Sequence, residues 1–199
     1  MNAKIKRDID PVNNDGITLI PQAMSIVADE VIDLHRQLVP YGYDEININL
    51  GCPSGTVVSK KRGSGILAYP DMLDSFLDEL YTKADFPVSI KTRVGFNDDE
   101  LWPKLIEIYS KYPISELTVH PRVQKDFYKN TPRMDDFALA MQKINPDKTT
   151  LCYNGDITDT NSFNALTDCF PDINEIMIGR GLFANPALIA ELKGISMDK

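Results

Sequence analysis

The sequence predicts an α/β chain of the (β/α)8 barrel type, incomplete, with about six βα units. Three observations carry that expectation. Short β-rich apolar runs alternate with longer segments of helical period. No shift of composition divides the chain. A chemically useful polar residue stands at the C-terminal end of each run. With 199 residues, 43% of them hydrophobic and 25% charged, there is material for a packed core in one domain or slightly more. An eight-stranded barrel takes ~250 residues, so two strands are expected to be missing.

Residues 1–16 are polar and turn-rich (Asp10-Pro11, then Asn13-Asn14-Asp15-Gly16) and read as an N-terminal tail or leading loop; residues 17–199 read as the partial barrel domain. The strand runs are 17–22, 45–51, 87–93, 116–122, 149–155 and 175–181. Val88-Ser89-Ile90 and Ile176-Met177-Ile178 read as apolar on both faces, the pattern of a parallel sheet covered by helices. Helical stripes follow at Val27, Val31, Leu34 and Leu38; at Leu73, Phe76, Leu77 and Leu80; at Leu101, Leu105, Ile108 and Tyr109; and at Phe163, Leu166 and Phe170. Pro103 belongs in the first turn of the third of these, where its missing N–H costs nothing. A last helix is expected to open with Asn185 as cap and Pro186 at its first position.

A doubly wound sheet is the competing architecture. Its glycine fingerprint is matched loosely by Gly63-Ser64-Gly65-Ile66-Leu67-Ala68, but that stretch follows Lys60-Lys61-Arg62 rather than a strand. The polar residues favour the barrel. Gln22, Asn49, Lys91, His120, Asn154 and Arg180 end the six runs at spacings of 27, 42, 29, 34 and 26 residues. Barrels average roughly 31 residues per unit and carry their active sites on this rim.

Composition narrows the function classes. The formal net charge is −8, which argues against a general nucleic-acid binder, because phosphate contacts need clustered positive charge. Any RNA contact has to be local, with Lys60, Lys61 and Arg62 as the main basic cluster and Arg122, Lys125, Lys129 and Arg133 as the second. The three cysteines lack C-x-x-C spacing, which argues against a disulfide framework and against zinc, and no metal site is expected. No apolar run approaches ~18 residues and the N-terminus lacks a signal-peptide core, so a cytoplasmic protein without a membrane span is expected.

The sharpest segment is Ile46-Asn47-Ile48-Asn49-Leu50-Gly51-Cys52-Pro53, a strand running into a glycine turn that presents a cysteine. Cys152, in a strand, and Cys169, on a helical stripe, read as small core residues. Cys52 lies where core packing ends, and an ordinary thiol can act as a general acid as well as a nucleophile. Lys91 and Arg93 share a strand face and read equally well as solvated cations or as partners of an anion or flavin ring. His120, at a strand end, is better placed for a ligand than His35 on a helix. Asn154-Gly155-Asp156 and Gly179-Arg180-Gly181 end the last two strands, where barrels often bind phosphate.

With these motifs assembled, the chain resembles the tRNA-dihydrouridine synthases, a family of flavin-dependent (β/α)8 barrels, from about residue 17 to its end. The segments that carry the likeness are Asn49 to Pro53 with Gly63 to Pro70, Pro87 to Gly95, Leu117 to Arg122 (with Pro121 where glycine is typical), Asn154 to Ile157 and Met177 to Gly181. The resemblance implies FMN as cofactor, NADPH as reductant and reduction of a uridine C5–C6 double bond in tRNA. It implies hydride delivery from reduced flavin to C6, proton delivery by Cys52 to C5 and placement of the uracil by Asn49. Gln22 and Lys91 would meet the isoalloxazine; His120, Asn154, Gly155, Asp156, Gly179 and Arg180 would hold the ribityl chain and phosphate. Lys60, Lys61, Arg62 and Arg122 are the expected RNA contacts. By the same resemblance, the family's first strand, with its Ala-Pro-Met-like cradle, its second strand and its C-terminal helical domain are expected to lie outside this sequence. An open barrel exposes strand edges, so the chain is expected to oligomerise or to bind a complementing fragment. The alternatives are a flavin barrel acting on a free pyrimidine-like molecule and a non-catalytic remnant.

Overall fold

The computed structural model describes residues 1–195. Six strands form one sheet: β1 (Gln22–Ala23), β2 (Ile46–Leu50), β3 (Val88–Gly95), β4 (Glu116–Val123), β5 (Thr150–Asn154) and β6 (Glu175–Met177). Every neighbouring pair is parallel and the spatial order is the sequence order. A doubly wound sheet reverses direction partway; this one advances one way throughout, which is the winding of a barrel. Among the described residues the outer edges of β1 and β6 pair with no further strand.

The strands alternate. Ile46, Ile48, Leu50, Val88, Ile90, Val94, Leu117 and Val119 are fully buried and share one core with the helices outside. The helices are α2 (Ala28–Leu38), α4 (Pro70–Lys83), α5 (Trp102–Tyr109), α6 (Met134–Lys143) and α7 (Thr160–Cys169), with the short α1 (Ala3–Asp8), α3 (Gly55–Val58), α8 (Arg180–Ala184) and α9 (Leu188–Leu192) completing the series. Helix α4 shows how sequence dictates element: Pro70 starts it, and Leu73, Phe76, Leu77 and Leu80 bury one stripe. The opposite strand face is polar. Asn47 Nδ2 donates to Ser89 Oγ at 3.0 Å, Thr118 is fully buried, and Cys152 stands beside Thr118 in the ladder. The expectation of two apolar faces at Val88-Ser89-Ile90 is therefore corrected: Ser89 belongs to a polar inner row.

Other expectations shift at the ends. Within residues 1–16, Asn2 caps α1, a 3-10 turn spans Pro11–Asn14, and Tyr43 Oη donates to Ile9 O at 2.6 Å. The first run shrinks to Gln22–Ala23, since Pro21 lacks an N–H and Ile17 and Ile20 lie exposed. The sixth run stops at Met177, and Arg180 opens α8 instead of ending a strand. Asn185 and Pro186 precede α9, which starts at Leu188; Asn185 Oδ1 accepts from the Ala187 N–H at 3.1 Å. Cys152 is buried, its thiol pushed up to about 12 chiefly by burial, whereas Cys169 is exposed, contrary to its core reading. His35 stacks on Phe86 at 3.5 Å between ring centres. No helix among the described residues is long and apolar enough to cross a membrane.

Candidate functional site

A cavity of about 460 Å³ opens at the C-terminal ends of the strands, within the size range of cofactor pockets, roughly 300–1,000 Å³. Gln22, Asn49, Cys52, Lys91, His120, Asn154, Gly155, Gly179 and Arg180 all line it. Five strands and the start of α8 thus bring their polar residues to one mouth. Asp156 sits behind the lining and accepts from Arg180 Nη2 at 2.6 Å and from Arg122 Nη1 at 3.0 Å.

On the β1–β2 side, amides hold one another. Gln22 Nε2 donates to Asn47 Oδ1, and Asn49 Nδ2 donates to Gln22 Oε1, both at 2.7 Å. Asn49 Oδ1 accepts the N–H groups of Gly51 and Cys52 at 3.0 and 2.9 Å, an Asx turn that sets where Cys52 leaves the strand. From the far side, Ser64 donates to Cys52 O through its N–H at 3.0 Å and its hydroxyl at 2.8 Å. Gly63 makes this approach possible: its φ is +54°, and a Cβ there would lie 2.8 Å from Cys52 O.

The centre of the cavity is basic. Burial, with help from the Arg93 charge, pushes the Lys91 ammonium down to about 8, and among the described residues no carboxylate pairs with it. Burial and the charges of Arg93, Lys91 and Arg122 push His120 down to about 3. The ring is therefore neutral at physiological pH, with Nε2 accepting from Arg122 Nη1 at 3.0 Å, which leaves the proton on Nδ1. Hydrogen bonding from Arg122, followed by the charges of Arg122 and Arg180, outweighs desolvation and holds Asp156 below the usual carboxylate range. Of the four cations here, Arg122 and Arg180 pair with Asp156, and Lys91 and Arg93 have no ion pair among the described residues, in a chain whose overall charge is −8. A site of this sign draws an anion.

Two glycines of the rim differ in purpose. A Cβ at Gly155 would lie 2.1 Å from Tyr153 Oη, so glycine there is a packing requirement. At Gly179 nothing lies within 4 Å of that position, and the backbone faces open space at the cavity wall.

The basic residues expected to meet RNA separate into two groups. Lys60 and Lys61 are exposed, with the Lys61 ammonium 4.4 Å from the centre of the Tyr69 ring, and Arg62 is partly exposed and pairs with Glu30 at 3.1 Å. Arg122 is 1% exposed, and its donors go to Asp156, His120, Lys129 O and Asn130 O. It does not reach solvent and cannot meet an RNA backbone; it supports the cavity from behind. Sequence reasoning missed Tyr128 and Phe183, which line the mouth. Tyr128 packs under Arg180 at 4.7 Å and beside His120 at 6.3 Å. Its one signal was an aromatic doublet, Phe127-Tyr128, in a polar loop; Phe183 stood in a short apolar stretch indistinguishable from core.

Comparison with known proteins agrees with this architecture. The family model for dihydrouridine synthase (Dus) matches residues 8–198. The chain is 29% identical over 168 residues to tRNA-dihydrouridine synthase B of Pasteurella multocida, covering 84% of this chain and 49% of that protein. It is 33% identical over 154 residues to a probable tRNA-dihydrouridine synthase of Staphylococcus aureus, covering 75% and 46%. The Shigella flexneri tRNA-dihydrouridine synthase B is 30% identical over 183 residues, covering 92% and 56%. The chain therefore spans about half the length of the curated relatives it matches. In fold alone it also resembles the phosphoenolpyruvate phosphomutase of Streptomyces platensis subsp. rosaceus, with a TM-score of 0.56 at 12% identity, covering 96% of this chain and 68% of the other. By the extent of the family match, on a sheet wound as a barrel, the chain belongs to the dihydrouridine synthase family.

Proposed function

We propose that this chain is the flavin-bearing barrel portion of a tRNA-dihydrouridine synthase, holding FMN in the rim cavity and reducing a uridine of tRNA to 5,6-dihydrouridine. The observation that carries the reading is the convergence of Gln22, Asn49, Cys52, Lys91, His120, Asn154 and Arg180 on one basic cavity. The donor set fits FMN. Arg180 and the open backbone at Gly179 suit the phosphate, and an unpaired Lys91 ammonium suits the electron-rich edge of the ring system. When bound and reduced by NADPH, FMN supplies the hydride that reaches C6 of the uracil.

The remaining steps belong to the protein. Cys52 gives its thiol proton to C5, so that hydride and proton together saturate the double bond. Asn49 orients the base through its amide while its carbonyl oxygen keeps Cys52 in place. His120 stays neutral and adds no competing positive charge. Asp156 aligns Arg180 through an ion pair at 2.6 Å. The target uridine has to leave its stack, because the reacting residues lie inside a rim cavity. Lys60, Lys61 and Arg62 supply local RNA contacts on an otherwise acidic molecule.

The test uses the purified chain, FMN, NADPH and tRNA lacking dihydrouridine. The reading requires bound flavin, NADPH-driven flavin reduction, tRNA-dependent reoxidation and a gain of two hydrogens in the target nucleoside. A protein that takes up no FMN at any concentration refutes it. Reoxidation by free pyrimidines but not by tRNA moves the assignment to a small-molecule reductase.

A further inference from the structure

Arg93 occupies an unusual position for a cation. It is 2% exposed, on the inner face of β3, and no carboxylate lies within ion-pair distance among the described residues. Its donors go instead to three backbone carbonyls in two separate parts of the chain. Nε donates to Gly51 O at 3.0 Å, Nη1 to Val123 O at 2.9 Å and Nη2 to Phe127 O at 2.6 Å. The first carbonyl lies just before Cys52; the other two frame the loop that carries Tyr128. The guanidinium also lies 5.7 Å from the centre of the Tyr128 ring.

Each end of this tie is otherwise prepared. At Gly51–Cys52 both N–H groups go to Asn49 Oδ1, and Cys52 O goes to Ser64. Gly51 O is the remaining backbone group of that pair, and Arg93 takes it. A Cβ at Gly51 would lie 3.6 Å from Arg93 Cγ and 3.3 Å from the Thr92 carbonyl carbon, so the bare glycine lets β3 and the arginine stem pass close by. At the other end, Phe127 has φ +51°, a backbone state that a large L-residue rarely adopts. Its carbonyl is held by Arg93 in that state.

We propose that Arg93 is a positioning residue that locks the Cys52 turn and the Tyr128 loop into one frame, fixing the distance between the proton donor and the aromatic wall of the cavity. The inference rests on the function proposed above and names a residue through which that site acts. The rigid fork of arginine is needed because three acceptors lie in three directions; a lysine ammonium at the end of a flexible stem keeps the charge but not the geometry.

The test starts in a Cys169→Ser background, where the exposed competing thiol is gone and Cys152 stays buried. Iodoacetamide then reports Cys52. Arg93→Lys is expected to raise its alkylation rate about tenfold or more, the size that follows from losing charge-assisted ties. With FMN at saturating concentration, the same variant should slow tRNA-dependent reoxidation at least about tenfold more than it slows NADPH-driven reduction. Equal falls in the two rates mark a merely structural role and overturn the proposal, as does an unchanged alkylation rate. Should Arg93→Lys fail to fold, amide exchange in the parent decides. Residues 51–52 and 127–129 should open together at equal protection, and protections differing by more than about tenfold overturn the tie. Exchange and alkylation need neither flavin nor RNA. If they succeed while the parent never reoxidises flavin with tRNA, the proposed function fails and the mechanical tie stands.

Discussion

The middle of the sheet and its margins are built differently. Strands β2, β3 and β4 run for 5, 8 and 8 residues, and their C-terminal halves carry Asn49, Arg93, His120 and Arg122 in a mesh of hydrogen bonds, with Lys91 among them. Strands β1 and β6 have 2 and 3 residues, and the residues beside β6 are exposed: Phe183 is 93% exposed, and Arg180 is held by Asp156 and the Tyr128 ring. Under the proposed function this division has a physical reason: atoms that move protons need fixed distances, which flanking strands on both sides would supply. Groups that hold an anion would tolerate slack, because the ligand itself supplies the missing partner.

The largest effect belongs to the middle. Cys52→Ala is expected to lower dihydrouridine formation by roughly 10²–10⁴-fold, the usual weight of a positioned acid, while FMN uptake stays normal; quantifying the nucleoside by mass spectrometry checks it, and a variant at full activity would show that another group gives the proton. At the margin, Arg180→Ala should weaken FMN binding by about tenfold or more with an unchanged melting temperature, as measured by flavin titration and thermal denaturation.

A glycine pair sharpens the contrast. Gly63→Ala meets a positive φ and Cys52 O at 2.8 Å, and is expected to destabilise the fold by about 1–3 kcal/mol in a urea titration. Gly179→Ala meets open space and should leave stability alone while reducing FMN affinity. Equal losses of stability at both positions would erase the distinction between the two regions.

The smallest effects are set by protons. Burial brings Lys91 down to about 8, so FMN affinity should decline as pH rises through that value and the ammonium disappears. Lys91→Met should bind more weakly and without that decline. His120 titrates at about 3 when folded, against 6.5 as its ordinary value. The unfolded chain therefore binds the extra proton first, and stability contributed by the neutral ring is present above pH 6.5 and is lost as pH falls toward 3. His120→Gln should flatten this part of the stability profile, read as the difference in urea midpoint between parent and variant.

Much of the molecule was legible in the sequence. Strands β2 to β5 begin and end within a few residues of their runs because alternation and glycine turns are local signals. Helix α6 escaped notice because its buried side chains are only Phe137 and Ala140, too sparse a stripe to stand out. Arg122 was misread as an RNA contact for a different reason: a basic residue beside other basic residues looks like surface until Asp156, 34 positions on, is brought to it.

The sequence by itself determined the order of βα units and which polar residues stand at strand ends, since periodicity, caps and turn chemistry act over a few neighbouring residues. Tertiary structure alone decided which of those residues face a ligand and which hold the frame. Arg93 reaches carbonyls 42, 30 and 34 positions away, and no local pattern records such partners. A buried cation must find acceptors wherever the fold leaves them, so its role is settled only when the strands are assembled.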